Sequence, residues 1–359
     1  MEKYLDKCKF YGRHTYKNGV LTFYNGGSGL GFKMQGRKFA ISLDIKPQGY
    51  IYVILDKDYN NKTKFLVKSP LFSYEMPDNK THYVDIIKAN EANDNVMEIT
   101  NIEVDGILNY DFDHKYKVRV YGDSTIAGFG ILAKDGEASI HNSDSVRDFC
   151  FHTLYESGYD FDIMSASGWG LTFSAYTNPN EIGIIDFQDN VMVNSTIKND
   201  SDFKPDLLIV SLGTNDYSYI KIENERNRIE CFKEKYKQLL LKEVENNKNI
   251  KILMLYGTLK ESDVYPLIEE TYEYLKPRFK NIYLYKMDGD NSAISNHAFV
   301  NQHDLMAKQL KTKLKELLWV LFLRILVEVC YSLTSVTGVK NCSNDSANSF
   351  PNKTSLSLS

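Results

Sequence analysis

No two cysteines of this chain are spaced to suggest a bridge or a zinc knuckle. The five present, Cys8, Cys150, Cys231, Cys330 and Cys342, are odd in number, far apart and without a Cys-x-x-Cys pair. A disulfide framework is therefore disfavoured. No cluster of His, Cys, Asp or Glu has metal-ligand spacing, so no metal and no other cofactor is expected, and a zinc-dependent deacetylase is disfavoured. Excess positive charge is missing too. The formal net charge is -4 at pH 7, which implies no basic face, and nucleic acid is not an expected partner. The opening residues MEKYLDKCKFYGRH hold no apolar h-region, and the expectation drawn from that is a cytoplasmic protein. No internal repeat is visible.

Long apolar runs are scarce. The strongest is residues 317–333, LLWVLFLRILVEVCYSL, interrupted by Arg324 and Glu328. A membrane span needs about 20 apolar residues with few charges. A buried or partner-facing helix is the expectation, with membrane or protein contact through residues 319–333 as its possible use. Trp319, Leu321, Phe322 and Leu326 would otherwise form a patch too apolar for a free surface. Residues 334–359 are rich in Ser, Asn and Thr and read as a disordered tail.

What is present suffices for a large core. The chain has 359 residues, 43% hydrophobic and 13% aromatic, which suggests two or three domains. The first part, residues 1–113, reads as β structure. Phe39, Ile41, Leu43 and Ile45 alternate with period two and would share one face. Residues 50–56, 81–87 and 95–99 are further β-rich runs. Asn25-Gly26-Gly27-Ser28-Gly29, Gln35-Gly36, Pro47-Gln48-Gly49 and Pro77-Asp78-Asn79 are turn signals between strands. Many short strands without a helical period indicate an all-β sandwich.

The rhythm changes at Tyr116. Strand-like runs at 116–120, 161–164, 206–212, 251–256 and 281–285 now alternate with helix-like ones at 226–246, 264–275 and 301–318. The run Asp206-Leu207-Leu208-Ile209-Val210-Ser211-Leu212 is almost continuously apolar, as in a strand covered on both faces. Such alternation gives a parallel sheet between helix layers, with ligands at the carboxyl ends of its strands. This α/β/α domain is expected over residues 114–318, leaving 319–359 as the apolar helix and polar tail.

Three separated sites would meet at that end of the sheet. Gly122-Asp123-Ser124 follows the first strand, and a serine on a tight turn there is presented as a nucleophile needs to be. An ordinary turn with Ser124 as N-cap is the plainer alternative. Gly168 follows the second strand in Ser-Gly-Trp-Gly, and Gly213-Thr214-Asn215-Asp216 follows the third. The backbone N–H groups of Ser124 and Gly168, with the Asn215 amide, could form an oxyanion hole. A turn glycine and a loop-stabilising asparagine are the alternatives.

These blocks resemble the SGNH (GDSL-type) hydrolases, with Ser124, Gly168 and Asn215 at the first three motif positions. The preceding sandwich, with Phe10-Tyr11-Gly12-Arg13 near its start, makes the chain most similar to carbohydrate esterase family 2 over about residues 8–317. That resemblance implies a jelly-roll-like sandwich followed by the three-layer hydrolase domain. It also implies an enzyme that removes acetyl groups from sugar hydroxyls, as on acetylated xylan. A lipase or thioesterase on the same frame, and a glycan-binding protein with a decayed site, are the alternatives.

The base is then sought among seven histidines. The segment His297-Ala298-Phe299-Val300-Asn301-Gln302-His303 resembles the family's last block and implies His297 as base, with His303 as runner-up. Ala298 stands where proline is usual. Ser295 and Ile294 stand where the superfamily commonly has the aspartate that orients the ring. The Ser295 hydroxyl, a backbone carbonyl, Asp288 or Asp290 could replace it. Trp169 could stack on a sugar ring or simply pack in the core. Asp123 and Asp216 read as loop-fixing acceptors rather than acids.

Overall fold

Period-two burial builds the first part of the structure. The computed structural model describes residues 1–175, 181–221, 225–259 and 264–336, with side chains through Leu318. In Lys38–Lys46 the residues alternate between buried and half-exposed, and Phe39, Ile41, Leu43 and Ile45 are the buried set. That strand lies in an antiparallel five-stranded sheet in the order His14–Lys17, Val20–Phe23, Val96–Val104, Lys38–Lys46, Leu71–Glu75. A second antiparallel sheet runs Lys9–Tyr11, Gly29–Gln35, Thr81–Lys88, Tyr50–Leu55, Lys62–Leu66, with Ile107–Leu108 paired to Gly29–Gln35. Leu30, Phe32, Met34, Val53, Val84 and Ile86 meet the first sheet's apolar face in one core. Each such side chain contributes about 1.5–3 kcal/mol by leaving water. The result is the expected sandwich.

Thr81–Lys88 departs from alternation in its second half, where both faces are buried. Its outer side is covered by the α/β part. Tyr11 stacks on Phe161 with ring centroids 5.4 Å apart, the Gly12 N–H donates to the Phe161 carbonyl at 3.1 Å, and the Ser145 N–H donates to the Ala89 carbonyl at 2.8 Å.

The α/β part is built on five parallel strands: β1 (Lys117–Gly122), β2 (Asp160–Ser165), β3 (Leu207–Ser211), β4 (Lys251–Tyr256) and β5 (Ile282–Lys286). Their order is β2-β1-β3-β4-β5. Strands β2, β3 and β4 are buried at every position, as coverage on both faces requires. The order places β1 between β2 and β3, where the winding reverses and open α/β sheets form their crevice. Register makes the three strand ends level, because Gly122 is paired with Ser165 on one side and Ser211 on the other. The loops after β1, β2 and β3 therefore leave the sheet together.

Residues 1–311 form one compact unit and residues 312–359 a second. The last helix runs unbroken from Val300 to Val336, where sequence periodicity ends it near Leu318. The apolar patch expected within residues 319–333 falls outside the described side chains, and most of the expected tail, 337–359, outside the described residues. Among the described residues no helix is long and apolar enough to cross a membrane.

Candidate active site

The turn after β1 starts at Gly122, where a Cβ would run into the Ile126 side chain. The next residue caps α1 (Ser124–Ala127): Asp123 Oδ1 accepts the Thr125 N–H at 3.0 Å. Gly128, at φ 69°, closes the helix in the left-handed region. The cap is thus Asp123 and not Ser124, which leaves the serine hydroxyl for another partner. Burial pushes the Asp123 carboxyl up to about 6, against the pull of the Thr125 N–H.

That partner is His297. Its Nε2 stands 2.6 Å from Ser124 Oγ, and its Nδ1 stands 2.9 Å from the Ser295 carbonyl oxygen. A carbonyl can only accept, so Nδ1 carries the proton and Nε2 faces the serine with its lone pair. The carbonyl reaches the ring because the chain turns sharply before it. Ser295 sits at φ 52°, ψ 35° and Asn296 at φ 60°. Left-handed conformations at two non-glycine residues each cost about 1–3 kcal/mol and persist only where the surroundings impose them. Among the described residues no aspartate is bonded to this histidine. The Asp290 carboxylate instead accepts the Ser292 N–H and hydroxyl, and Asp288 meets Gln302 and Gln309 through its backbone.

His303 is elsewhere. It is buried, with Nδ1 accepting the Phe149 N–H at 3.2 Å at the start of α2 (Phe149–Glu156). Burial, and then the neighbouring His297, push its imidazole down to about 3. The runner-up base is therefore a neutral helix-end acceptor. Ala298, at the position of the usual proline, is fully buried.

Gly168 adopts φ 78°, which suits glycine, in the loop after β2. Asn215 opens α3 (Thr214–Ile220) and its Nδ2 donates to the Trp169 carbonyl at 3.2 Å, joining the second loop to the third. Asp216 strengthens that joint. Its two oxygens accept the N–H groups of Leu171, Thr172 and Phe173 at 2.7–3.0 Å. Burial pushes this carboxyl up to about 6, opposed by those three N–H groups. Its work is to hold a loop. Trp169 is corrected by its packing: only 3% exposed, it lies edge-on to Phe187 within the core and presents no face for a sugar.

Residues 119–291 match the model of the GDSL-like Lipase/Acylhydrolase family. That stretch is a GDSL-like acylhydrolase domain. The match ends before His297, so the histidine's place rests on geometry. No curated protein sequence matches the chain significantly. Solved structures do. A family two carbohydrate esterase from Clostridium thermocellum, in complex with cellohexaose, is similar at TM-score 0.77 and 18% identity over 87% of this chain and 99% of that one. The family two carbohydrate esterase from Cellvibrio japonicus is similar at TM-score 0.74 and 18% identity, over 87% and 95%. An acetyl xylan esterase from the rumen bacterium Butyrivibrio proteoclasticus is similar at 0.75 and 18%, over 88% and 96%. At such identities the likeness is one of fold, and it spans the sandwich as well as the acylhydrolase domain.

Two residues invisible to motif reasoning also touch this site. Glu91 and Asn93, in the sandwich turn before Val96–Val104, both bond to Ser167, the residue before Gly168. They are single polar residues in the ordinary loop sequence Asn90-Glu91-Ala92-Asn93-Asp94, and nothing local distinguishes them.

Burial holds the His297 imidazole below its ordinary 6.5, outweighing the backbone hydrogen bonds that raise it. A lowered pKa keeps the ring in its neutral, proton-accepting form to lower pH. Ester turnover by the acylhydrolase domain should therefore rise with pH through an apparent pKa below 6.5 and be flat around neutrality. A kcat/KM profile with its acid limb centred above pH 7 would contradict His297 as the base.

Proposed function

We propose that the chain is a serine-dependent esterase that removes acetyl groups from carbohydrate hydroxyls. The observation that carries this reading is the Nε2–Oγ approach of His297 and Ser124, with Nδ1 engaged by the Ser295 carbonyl. In the proposed cycle the Ser124 oxygen attacks the ester carbonyl as its proton passes to His297 Nε2. The negative oxygen of the tetrahedral intermediate is met by the N–H groups of Ser124 and Gly168 and by the Asn215 amide. His297 then returns the proton to the departing sugar oxygen, leaving acetyl-Ser124. A water molecule gives its proton to the same nitrogen, attacks the acyl carbon, and releases acetate and the free serine.

The carbohydrate part is supported by the solved esterases, which share both the sandwich and the acylhydrolase domain across nearly their whole length. Acyl-length profiling on aryl esters, with acetate release from acetylated xylan, tests it. The acetate ester should exceed the butyrate in kcat/KM by at least about tenfold, since each added methylene must be excluded sterically. Acetylated xylan should release acetate. Preference for longer acyl chains, or no acetate from the glycan, would favour a lipid or thioester hydrolase instead.

A further inference from the structure

We propose that the sandwich sets the oxyanion side of the acylhydrolase site, with Asn93 and Glu91 as positioning residues for the Ser167–Gly168 peptide. The inference rests on the reading above, in which the Gly168 N–H faces the developing oxyanion.

The peptide bond is planar and trans, so the Ser167 carbonyl and the Gly168 N–H lie in one plane and point opposite ways. Whatever holds the carbonyl aims the N–H. Asn93 Nδ2 donates to that carbonyl at 3.0 Å. The peptide plane on the other side of Ser167 is held by Glu91. Its Oε2 accepts the Ser167 N–H at 2.7 Å and its Oε1 accepts the Ser167 hydroxyl at 2.6 Å. Both planes around one α-carbon are thus tied to a turn that belongs to the other layer of the molecule.

The ties are needed because the next residue is a glycine at φ 78°, whose backbone has no Cβ to restrict it. Without them the Gly168 N–H could swing, and a misaligned donor loses most of its worth to a transition state. A donor on the carbonyl also polarises the amide and makes its N–H a stronger donor. The clamp itself is firm. Glu91 is 3% exposed, and its turn is braced by the buried Lys88, whose Nζ donates to the carbonyls of Asn90 at 2.6 Å and Glu91 at 3.0 Å. Asn93 is exposed, so it can be changed without opening a cavity.

The test uses the full chain, an aryl acetate, and an arylboronic acid that forms a tetrahedral adduct on the serine. Asn93→Ala and Asn93→Asp both remove the donor to Ser167. Each should lower kcat about ten- to hundredfold with KM within about twofold of wild type. Affinity for the boronic acid should fall by the same factor, and the urea midpoint should not move. Glu91→Ala should show the same split more strongly, and Glu91→Gln, which keeps an acceptor for the Ser167 N–H, should recover part of it. Should Glu91→Ala fail to fold, the Asn93 pair decides. Unchanged kcat in both Asn93 variants overturns the proposal while leaving the esterase reading intact. A fall in kcat without matching loss of boronic acid affinity overturns it too, because the effect would then not act through the oxyanion. A wild-type protein that turns over no ester overturns both.

Discussion

Ser124→Ala will lower kcat on an aryl acetate by at least about 10⁴-fold, and His297→Ala will do so by a similar order. The double variant will be no slower than the slower single one, because nucleophile and base act as a unit and removing either already disables it. Apart from its hydrogen bond to His297, worth about 1 kcal/mol, the serine contributes nothing to the fold that alanine would lose. The cap of α1 belongs to Asp123, and Ser124 is 7% exposed with its hydroxyl on His297. Urea unfolding of wild type and Ser124→Ala should therefore agree to within about 1 kcal/mol, which separates loss of chemistry from loss of structure. Turnover retained within about tenfold in Ser124→Ala would remove the serine from the mechanism. Additive losses in the double variant would mean that His297 serves another step.

The second large effect is expected far from the site. Arg13, 1% exposed, bonds Asp162 through Nε at 3.0 Å and the carbonyls of Gln188 and Asn190 through one terminal nitrogen at 2.8 and 2.6 Å. Asp162 is also bonded by Arg119, at 3.0 Å, and Arg119 in turn pairs with Glu243. Burial alone would raise the Asp162 carboxyl, but Arg13 and Arg119 outweigh it and hold the group below its ordinary value. Arg13→Ala leaves this buried carboxylate with one partner and strands two carbonyls. Breaking a buried pair in this way costs about 3–5 kcal/mol. Urea unfolding should register a loss of that size, followed by esterase activity that fails at a lower temperature than in wild type. An unchanged midpoint would show that the Arg13 cluster is not what joins the sandwich to β2.

The stretch Phe10-Tyr11-Gly12-Arg13 thereby acquires a physical meaning beyond resemblance. Tyr11 stacks on Phe161, Gly12 bonds its carbonyl and Arg13 reaches Asp162, so three successive residues of the run meet two adjacent positions of β2. A short run in the sandwich is thus registered against the strand whose end carries Ser167 and Gly168. Periodicity alone gives no hint of this, since the run is too short to show a period and its partners lie about 150 residues away.

Where the chain determines its own structure locally, the sequence is enough. Phe39 to Ile45 must bury alternate residues whatever covers them, and Leu207 to Ser211 has no polar face to show water, so it must lie between two layers. Gly122-Asp123-Ser124 lies at a strand end because Gly122 leaves room for Ile126 and Asp123 satisfies the Thr125 N–H just beyond the turn, and Gly213, at φ 134°, permits the turn that opens the third block. These features follow from sterics and hydrogen bonding within a few residues. The tertiary structure alone decided the rest. His297 and His303 sit in one short segment with identical chemistry, and only the packing sends one to Ser124 and buries the other against Phe149. The group that orients His297 is a backbone carbonyl, which every residue possesses and no motif can mark. Trp169 is withdrawn into the core because Phe187 and its neighbours close over it. Glu91 and Asn93 reach Ser167 because two layers far apart in sequence press together, and such contacts are set by the energy of the whole fold rather than by any stretch of it.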